Sequence, residues 1–338
     1  MRKLLFVLGC FVSFTLLAQQ PQFAVVRPSG TSYMCPTWDS AYNKAVDGDF
    51  IYLPGGSFTF NIPINKKLYL FGAGYSEDST KSTGVTMVNG FAIKSGGSNG
   101  SVEGLLINGK LQLDTNLINY SVRFCNIKGG IGFGISCSNI NISNNDIGGT
   151  GGNLYYSLTG GSLSNSLFTN NIIAYTIQPF SSTGNTFLNN LFFGSYYYQP
   201  NFNLLDNCIY RNNIFTTFYS YACSNSAFNN NINATINTTY GNSGSGNISE
   251  SVSTTFVNPG TPFNGFYSYS SDNDYLLQPN SLAHSAGTDG KDLGIYGGQF
   301  PWKKGNLPSN PHIYFKQIDS QTGTNGTLKI QVKVRTNN

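Results

Sequence analysis

Charge is scarce in this chain. Lys and Arg number 19 and Asp and Glu 15, together 10% of 338 residues, against roughly a quarter in ordinary globular proteins. The formal charge is +4, and no basic patch points to nucleic acid. Histidine occurs twice, as His284 and His312, and neither has partners at metal-ligand spacing. A Ser-His-Asp triad therefore has little to work with. Gly96-Gly-Ser-Asn-Gly100 matches a nucleophile elbow as a string. It lacks the strand-to-helix context of one and reads as a turn. After residue 18 no apolar run is long enough to span a membrane. Cysteine is sparse: beyond Cys10 stand Cys35, Cys125, Cys137, Cys208 and Cys223. That number is odd, and no zinc spacing appears. Cys208 and Cys223 form the candidate disulfide, and Cys125 reads as a small buried side chain. Aromatics are plentiful at 14%, which argues against a disordered chain.

What is abundant is Gly, Asn, Ser and Thr, and they repeat. From Ser101 to Tyr240 one phrase recurs: an apolar residue, a variable one, two asparagines, then Ile or Leu. It reads Phe168-Thr-Asn-Asn171-Ile172, Tyr210-Arg-Asn-Asn213-Ile214 and Phe228-Asn-Asn-Asn231-Ile232. Looser copies end at Ile107, Ile127, Ile147 and Leu191. An earlier asparagine often opens the phrase, as at Asn165, Asn185, Asn207 and Asn225. With the final Ile or Leu as anchor, spacings run from 18 to 25 residues. A loose period near 20 marks a solenoid. Short polar–apolar alternation and frequent Gly, Asn and Ser favour strands and turns over helices. Coils stacked about 4.8 Å apart let Asn145, Asn171, Asn190, Asn213 and Asn231 hydrogen-bond up and down one column, with the anchors stacked inside.

In chain order, Met1–Ala18 has the form of a secretory signal: Arg2 and Lys3, an apolar stretch, then Ala18 before the expected cleavage. A lipoprotein reading would use Val7-Leu-Gly-Cys10 instead. Thr37 caps a short helix whose Trp38, Ala41, Tyr42 and Ala45 share one face, suited to cover the open end of the solenoid. The body is expected to run from 19 to 298. A linker and a hairpin follow over 299–338, with strands from His312 to Ile318 and from Thr327 to Arg335. In the second strand Leu328, Ile330, Val332 and Val334 alternate with Lys329, Gln331, Lys333 and Arg335.

Two phrases near the start carry a resemblance. Ala45, Gly48, Asp49, Ile51, Leu53, Gly56 and Phe58 form one; Leu68, Leu70, Gly72 and Gly74 form the other. The closing segment adds Asp274-Tyr-Leu, Gly287-Thr-Asp289 and Asp292-Leu-Gly294-Ile-Tyr296-Gly-Gly298, with Leu282 where proline is usual. From Trp38 to Gly298 the chain resembles secreted right-handed parallel β-helix proteins of the pectate-lyase-like fold. Its tail is similar to segments that follow such helices in secreted Bacteroidetes proteins. The resemblance implies an all-β solenoid of about eight to ten coils, exported to the outside or the cell surface. It implies little chemistry, because the fold hosts lyases, hydrolases, adhesins and inert scaffolds.

A uronide lyase needs a base and a cation beside the sugar carboxylate. Arg123, Lys128 and Arg211 are the candidates, with Glu103 one coil before Arg123 as a stacked ion pair. The Asp-Asp, Gly-His-Gly and Arg-Ile-Lys phrases of polygalacturonase-type hydrolases are missing. No cofactor is expected. Ca²⁺ would have to use Asp272, Asp274, Asp289 and Asp292, for which Asx turns are the plainer use. The aromatics after the anchors include Tyr155, Tyr156, Tyr175, Tyr196, Tyr197, Tyr198, Tyr219 and Tyr221, with Phe192-Phe193 and Phe215. Consecutive aromatics on alternating strands cannot all point inward, so some should face solvent and stack on sugar rings. The leading expectation is a non-catalytic secreted scaffold contacting polysaccharide through those tyrosines. The alternatives are a lyase or glycosidase acting on an acidic or plant or algal glycan, and a purely structural surface protein.

Overall fold

The computed structural model describes residues 22–148, 156–178, 180–194, 204–220, 223–303, 306–307, 311–319, 321–323 and 325–335, without the side chains of residues 176, 218–220 and 312. Residues 1–21, including Cys10, lie outside them. The chain winds into a parallel β-solenoid of about nine turns. Each coil crosses a 12-stranded sheet and then a second sheet of equal size. A third, 3-stranded sheet closes the middle coils.

The corners explain the composition. Between the first and second sheets the chain turns at Gly104, Phe124, Asn144, Asn170, Asn189, Asn212, Asn230 and Gly246, all with positive φ. Returning to the first sheet it turns at Asn119, Asn139, Asn165, Gly184, Asn207, Asn225 and Gly241, again with positive φ. Only Gly tolerates this conformation freely and Asn is next best, so one or the other stands at each of these corners except Phe124. Asn185 is the exception among the opening asparagines: Gly184 makes the turn, and Asn185 points inward, where its Oδ1 accepts from Ser166 N at 2.9 Å.

The second asparagine of each pair builds a continuous ladder. Asn171 Oδ1 accepts from both N and Nδ2 of Asn145, each at 3.0 Å. Asn190 does the same for Asn171, Asn213 for Asn190, and Asn231 for Asn213. Each Nδ2 also donates to a strand carbonyl, as Asn190 does to Phe168 O at 2.9 Å. These amides are fully buried, and Asn171, Asn190, Asn213 and Asn231 use all four hydrogen-bonding positions. Phe168, Phe187, Tyr210 and Phe228 stack inside the coils at 4.4–4.9 Å between ring centroids.

The ladder corrects the anchor register. Asp146 pairs with Ile172, and Ile147 with Ile173. Ile107, Ile127 and Ile147 therefore point inward, as expected. Ile172, Leu191, Ile214 and Ile232 occupy the alternate, outward position. They are buried nonetheless, in a second apolar core with Val252, Phe256, Tyr275, Leu293 and Ile295. That core exists because the chain doubles back along the outside of the solenoid. The first asparagine of each pair holds this strap. Asn230 Nδ2 donates to Ala286 O at 3.0 Å, and Asn212 Nδ2 to Thr288 Oγ1 at 3.2 Å. Asn170 Nδ2 donates to Ile295 O and Gly297 O, both at 2.9 Å, and Asn144 Nδ2 to Phe300 O at 3.1 Å. The strap thus runs from the last coils back toward the first.

At the other end, Thr37 and Ser40 form a reciprocal capping box on helix α1, Trp38–Lys44. Trp38 stacks on Phe60 at 3.7 Å. Lys66 Nζ donates to Tyr42 O and Ala45 O where the helix ends, a favourable place for a cation.

The tail forms the expected hairpin, His312–Ile318 against Ile330–Arg335. Of its described apolar side chains, Ile318, Ile330, Val332 and Val334 are exposed, and Ile313 and Phe315 are half-buried. Neither strand contributes a residue to either apolar core. Deleting residues 312–338 should therefore leave the main unfolding midpoint within about 2 °C of the full chain, by circular dichroism. A larger fall would mean that the hairpin packs on the solenoid.

Candidate functional site

The outer face of the first sheet carries an aromatic platform on its early coils. Strands Phe50–Tyr52 and Tyr69–Phe71 run parallel, pairing Phe50 with Tyr69, Ile51 with Leu70, and Tyr52 with Phe71. Ile51 and Leu70 point into the core and are fully buried. Alternation then sends all four rings outward. Phe50 and Tyr69 lie 5.0 Å apart with 24° between planes, and Tyr52 and Phe71 5.3 Å apart with 20°. Lys67 Nζ sits 5.8 Å from the Tyr69 ring centroid. On its other side Tyr52 pairs with Ala24, too small to cover a phenol ring, and Tyr52 is 40% exposed.

Further along the same columns, Tyr69 is followed by Ser101 and Ser121, and Phe71 by Glu103 and Arg123. Arg123 Nη2 lies 3.0 Å from Glu103 Oε2. Glu103 is fully buried and Arg123 is partly exposed. The pair is thus the stacked ion pair that the spacing implies, and the arginine reaches solvent at the end of the platform.

The three candidate cations do not converge. Arg211 stands in the column of Arg123, four strand steps on through Ser143, Thr169 and Leu188, or roughly 19 Å at about 4.8 Å per step. Lys128 lies around the corner from that column, in the turn after the second-sheet strand Asn126–Ile127. It lies near Asp146 and favours that carboxylate electrostatically. Asp146 faces outward but is covered by the strap, 1% exposed. Its Oδ2 accepts from Tyr269 OH at 2.6 Å and from Asn126 Nδ2 at 3.0 Å. Burial pushes its carboxyl up to about 7, against the pull of Tyr269 and Lys128. A neutral-range acid suits proton transfer, but Tyr269 and the strap close this one off from a polymer.

Asp206 Oδ1 accepts from Ser224 N at 2.6 Å, a turn-stabilising bond. Among the described residues no group of three or more His, Cys, Asp or Glu side chains could hold a metal ion. Asp274 and Asp289 each accept the backbone N–H two residues on, as Asx turns do, while Asp292 accepts from Ser285 N and lies 3.2 Å from His284 Nδ1. No helix among the described residues is long and apolar enough to cross a membrane.

No family model and no curated protein matches the chain. Among solved structures it is similar to the crystal structure of pectate lyase Pel9A. Identity is 13% and the TM-score 0.34, over 81% of this chain and 93% of that one. The solenoid assignment rests on the chain's own strand register.

Of the expected sugar-stacking tyrosines, Tyr155, Tyr196, Tyr197, Tyr198 and Tyr221 lie outside the described residues. The backbone of Tyr219 pairs with Ala234. Tyr156 and Tyr175 are half-buried. Phe192 and Phe193 correct the expectation of exposure: Phe192 enters the solenoid core and Phe193 the second core, so both are fully buried. The disulfide expectation is also corrected. All five described cysteines are free and buried. Cys208 Sγ donates to Asp206 O at 3.1 Å, and burial pushes the Cys223 thiol up to about 12. The platform itself escaped the sequence reading, although Phe-Ile-Tyr and Tyr-Leu-Phe share an aromatic–aliphatic–aromatic alternation that places both aromatics on one face.

Proposed function

We propose that this chain is an exported β-helix scaffold that binds polysaccharide along its outer aromatic face without cleaving it. The observation that carries the reading is the platform of Phe50, Tyr52, Tyr69 and Phe71, open at Tyr52. Aromatic faces bind the C–H faces of sugar rings, and neighbouring hydroxyls and amides bind their hydroxyl groups. Beyond Ser101, which is buried, Ser121, Asn141 and Ser143 continue the same face along the stack. Arg123 adds a cation suited to an acidic sugar. Tyr155, Tyr156, Tyr196, Tyr197, Tyr198, Tyr219 and Tyr221 form a second aromatic stretch in this reading, on the strength of their density in the sequence. The separation of Arg123, Lys128 and Arg211, and the cover over Asp146, support binding over cleavage. Export rests on the form of Met1–Ala18.

Affinity electrophoresis through gels containing single polysaccharides tests the platform. Tyr52→Ala should weaken retention on the bound glycan about three- to tenfold, in line with ~0.5–1.5 kcal/mol for one aromatic contact. Phe71→Ala should act in the same direction. Unchanged retention of both variants would remove the platform from the account.

A further inference from the structure

A cleft of about 530 Å³ opens at the far end of the solenoid, between the last coils and the start of the strap. That size lies within the range of about 300–1,000 Å³ usual for small-ligand sites. Its floor is Thr216, which follows the inward-pointing Phe215 and faces the other way. The Thr216 side chain is 4% exposed, and its Oγ1 has no hydrogen-bond partner in the structure. A buried hydroxyl without a partner is costly, and a ligand hydroxyl entering the cleft would supply one.

The roof is a small hairpin. Phe263 and Phe266 exchange N–H···O bonds of 2.9 and 3.0 Å in both directions. Asn264 and Gly265 between them have φ of 48° and 84°, the positive pair of a tight two-residue turn. Asn264, Phe266 and Tyr267 line the cleft. Glu250 is the one charged residue among its lining residues, and its oxygens are already engaged. Oε2 accepts from Thr255 Oγ1 and Ser281 Oγ, and Oε1 from Leu282 N. The cleft therefore presents aromatic surface, hydroxyls and an amide, with no free charge.

We propose that this cleft is a separate binding site for a single neutral hexopyranose ring. A pyranose matches it in having apolar faces for Phe266 and Tyr267 and equatorial hydroxyls for Thr216 and Asn264. The site stands near Ile214–Ser220 and Ser249, many strand steps from Phe50 and Tyr69, so it goes beyond the platform reading and does not depend on it.

Saturation-transfer NMR with D-glucose, D-galactose, D-mannose and D-galacturonate on the full chain tests the assignment. At least one neutral hexose should bind, with D-galacturonate no tighter. Thr216→Val, which removes a hydroxyl already without a partner and should fold at least as stably, should weaken that binding about tenfold or more. Asn264→Gly, which keeps the positive-φ turn and removes the amide, should weaken it in the same direction. The effect of Thr216→Val should persist in a Phe71→Ala background, where any sugar contact at the platform is weakened, so loss at the platform and loss at the cleft are read separately. The proposal is overturned if none of the three hexoses binds, if D-galacturonate binds best, or if Thr216→Val binds as the parent does.

Discussion

Asn190→Ala should lower the thermal unfolding midpoint by roughly 5–15 °C, whereas Asn189→Ala, one residue earlier, should cost clearly less. Asn190 Oδ1 is the acceptor for both N and Nδ2 of Asn171, and its Nδ2 donates to Phe168 O and Asn213 Oδ1. Alanine leaves the Asn171 N–H buried without its acceptor and interrupts the ladder in mid-stack. Each buried polar group left without a partner costs about 1–3 kcal/mol. The sum is roughly 2–5 kcal/mol with the lost volume, and a chain of this size loses a few degrees per kcal/mol. Asn189 has longer bonds, 3.3–3.4 Å from its Nδ2 to the strap, and its positive φ is what alanine would strain. Asn189→Gly should recover part of that loss, because glycine accepts the turn. Differential scanning calorimetry of the three variants checks the order. Equal losses at 189 and 190 would show that inward and outward asparagines are not distinct in role.

Asp146→Asn should stabilise the protein at pH 8 and leave it nearly unchanged at pH 4. In the folded chain, burial raises the Asp146 carboxyl from an ordinary 3.8 to about 7. The folded state thus holds this proton more tightly than the unfolded state. The sign follows by linkage: stability from this group is full below about pH 4, falls as pH rises toward 7, and levels off above. Three pH units correspond to about 4 kcal/mol as a ceiling. Asparagine keeps the oxygen that accepts from Tyr269 and Asn126 and carries no proton to lose. The difference in midpoint between parent and variant should therefore widen from pH 4 to pH 7 and then stay constant. Parallel curves across that range would mean that the carboxylate is compensated in the fold, with Lys128 the nearest cation.

These two side chains also show how far the sequence reaches. The second asparagine of each pair was legible because it recurs one place before an apolar residue, and only stacked coils give such an amide four partners. The first asparagine gave no comparable signal: its partners lie 56 to 156 residues away on the strap. The register slip at Asp146 has the same origin. Ile172-Ile173 is apolar twice over, so alternation cannot tell which residue points inward, and the second core makes the outward position apolar too. Phe192-Phe193 misleads in the same way, since a covered outer face buries both members of an aromatic pair. The strap was not foreseen, because its passage from about Ser249 to Leu307 is read locally as turns. Of the candidate site, the stacking of Glu103 on Arg123 followed from coil spacing. The platform needed the knowledge that Ile51 and Leu70 face inward on adjacent strands.

The central claim is binding without cleavage, and one experiment reads both at once. The protein would be incubated with a panel of acidic and neutral polysaccharides. Retention on each glycan, new reducing ends and new unsaturated ends would be scored together. The account predicts retention on at least one polysaccharide, reduced in Tyr52→Ala, with no new ends above a heat-denatured control. New ends that grow with time and vanish in Arg123→Ala, Lys128→Ala or Arg211→Ala would contradict it and make the protein an enzyme.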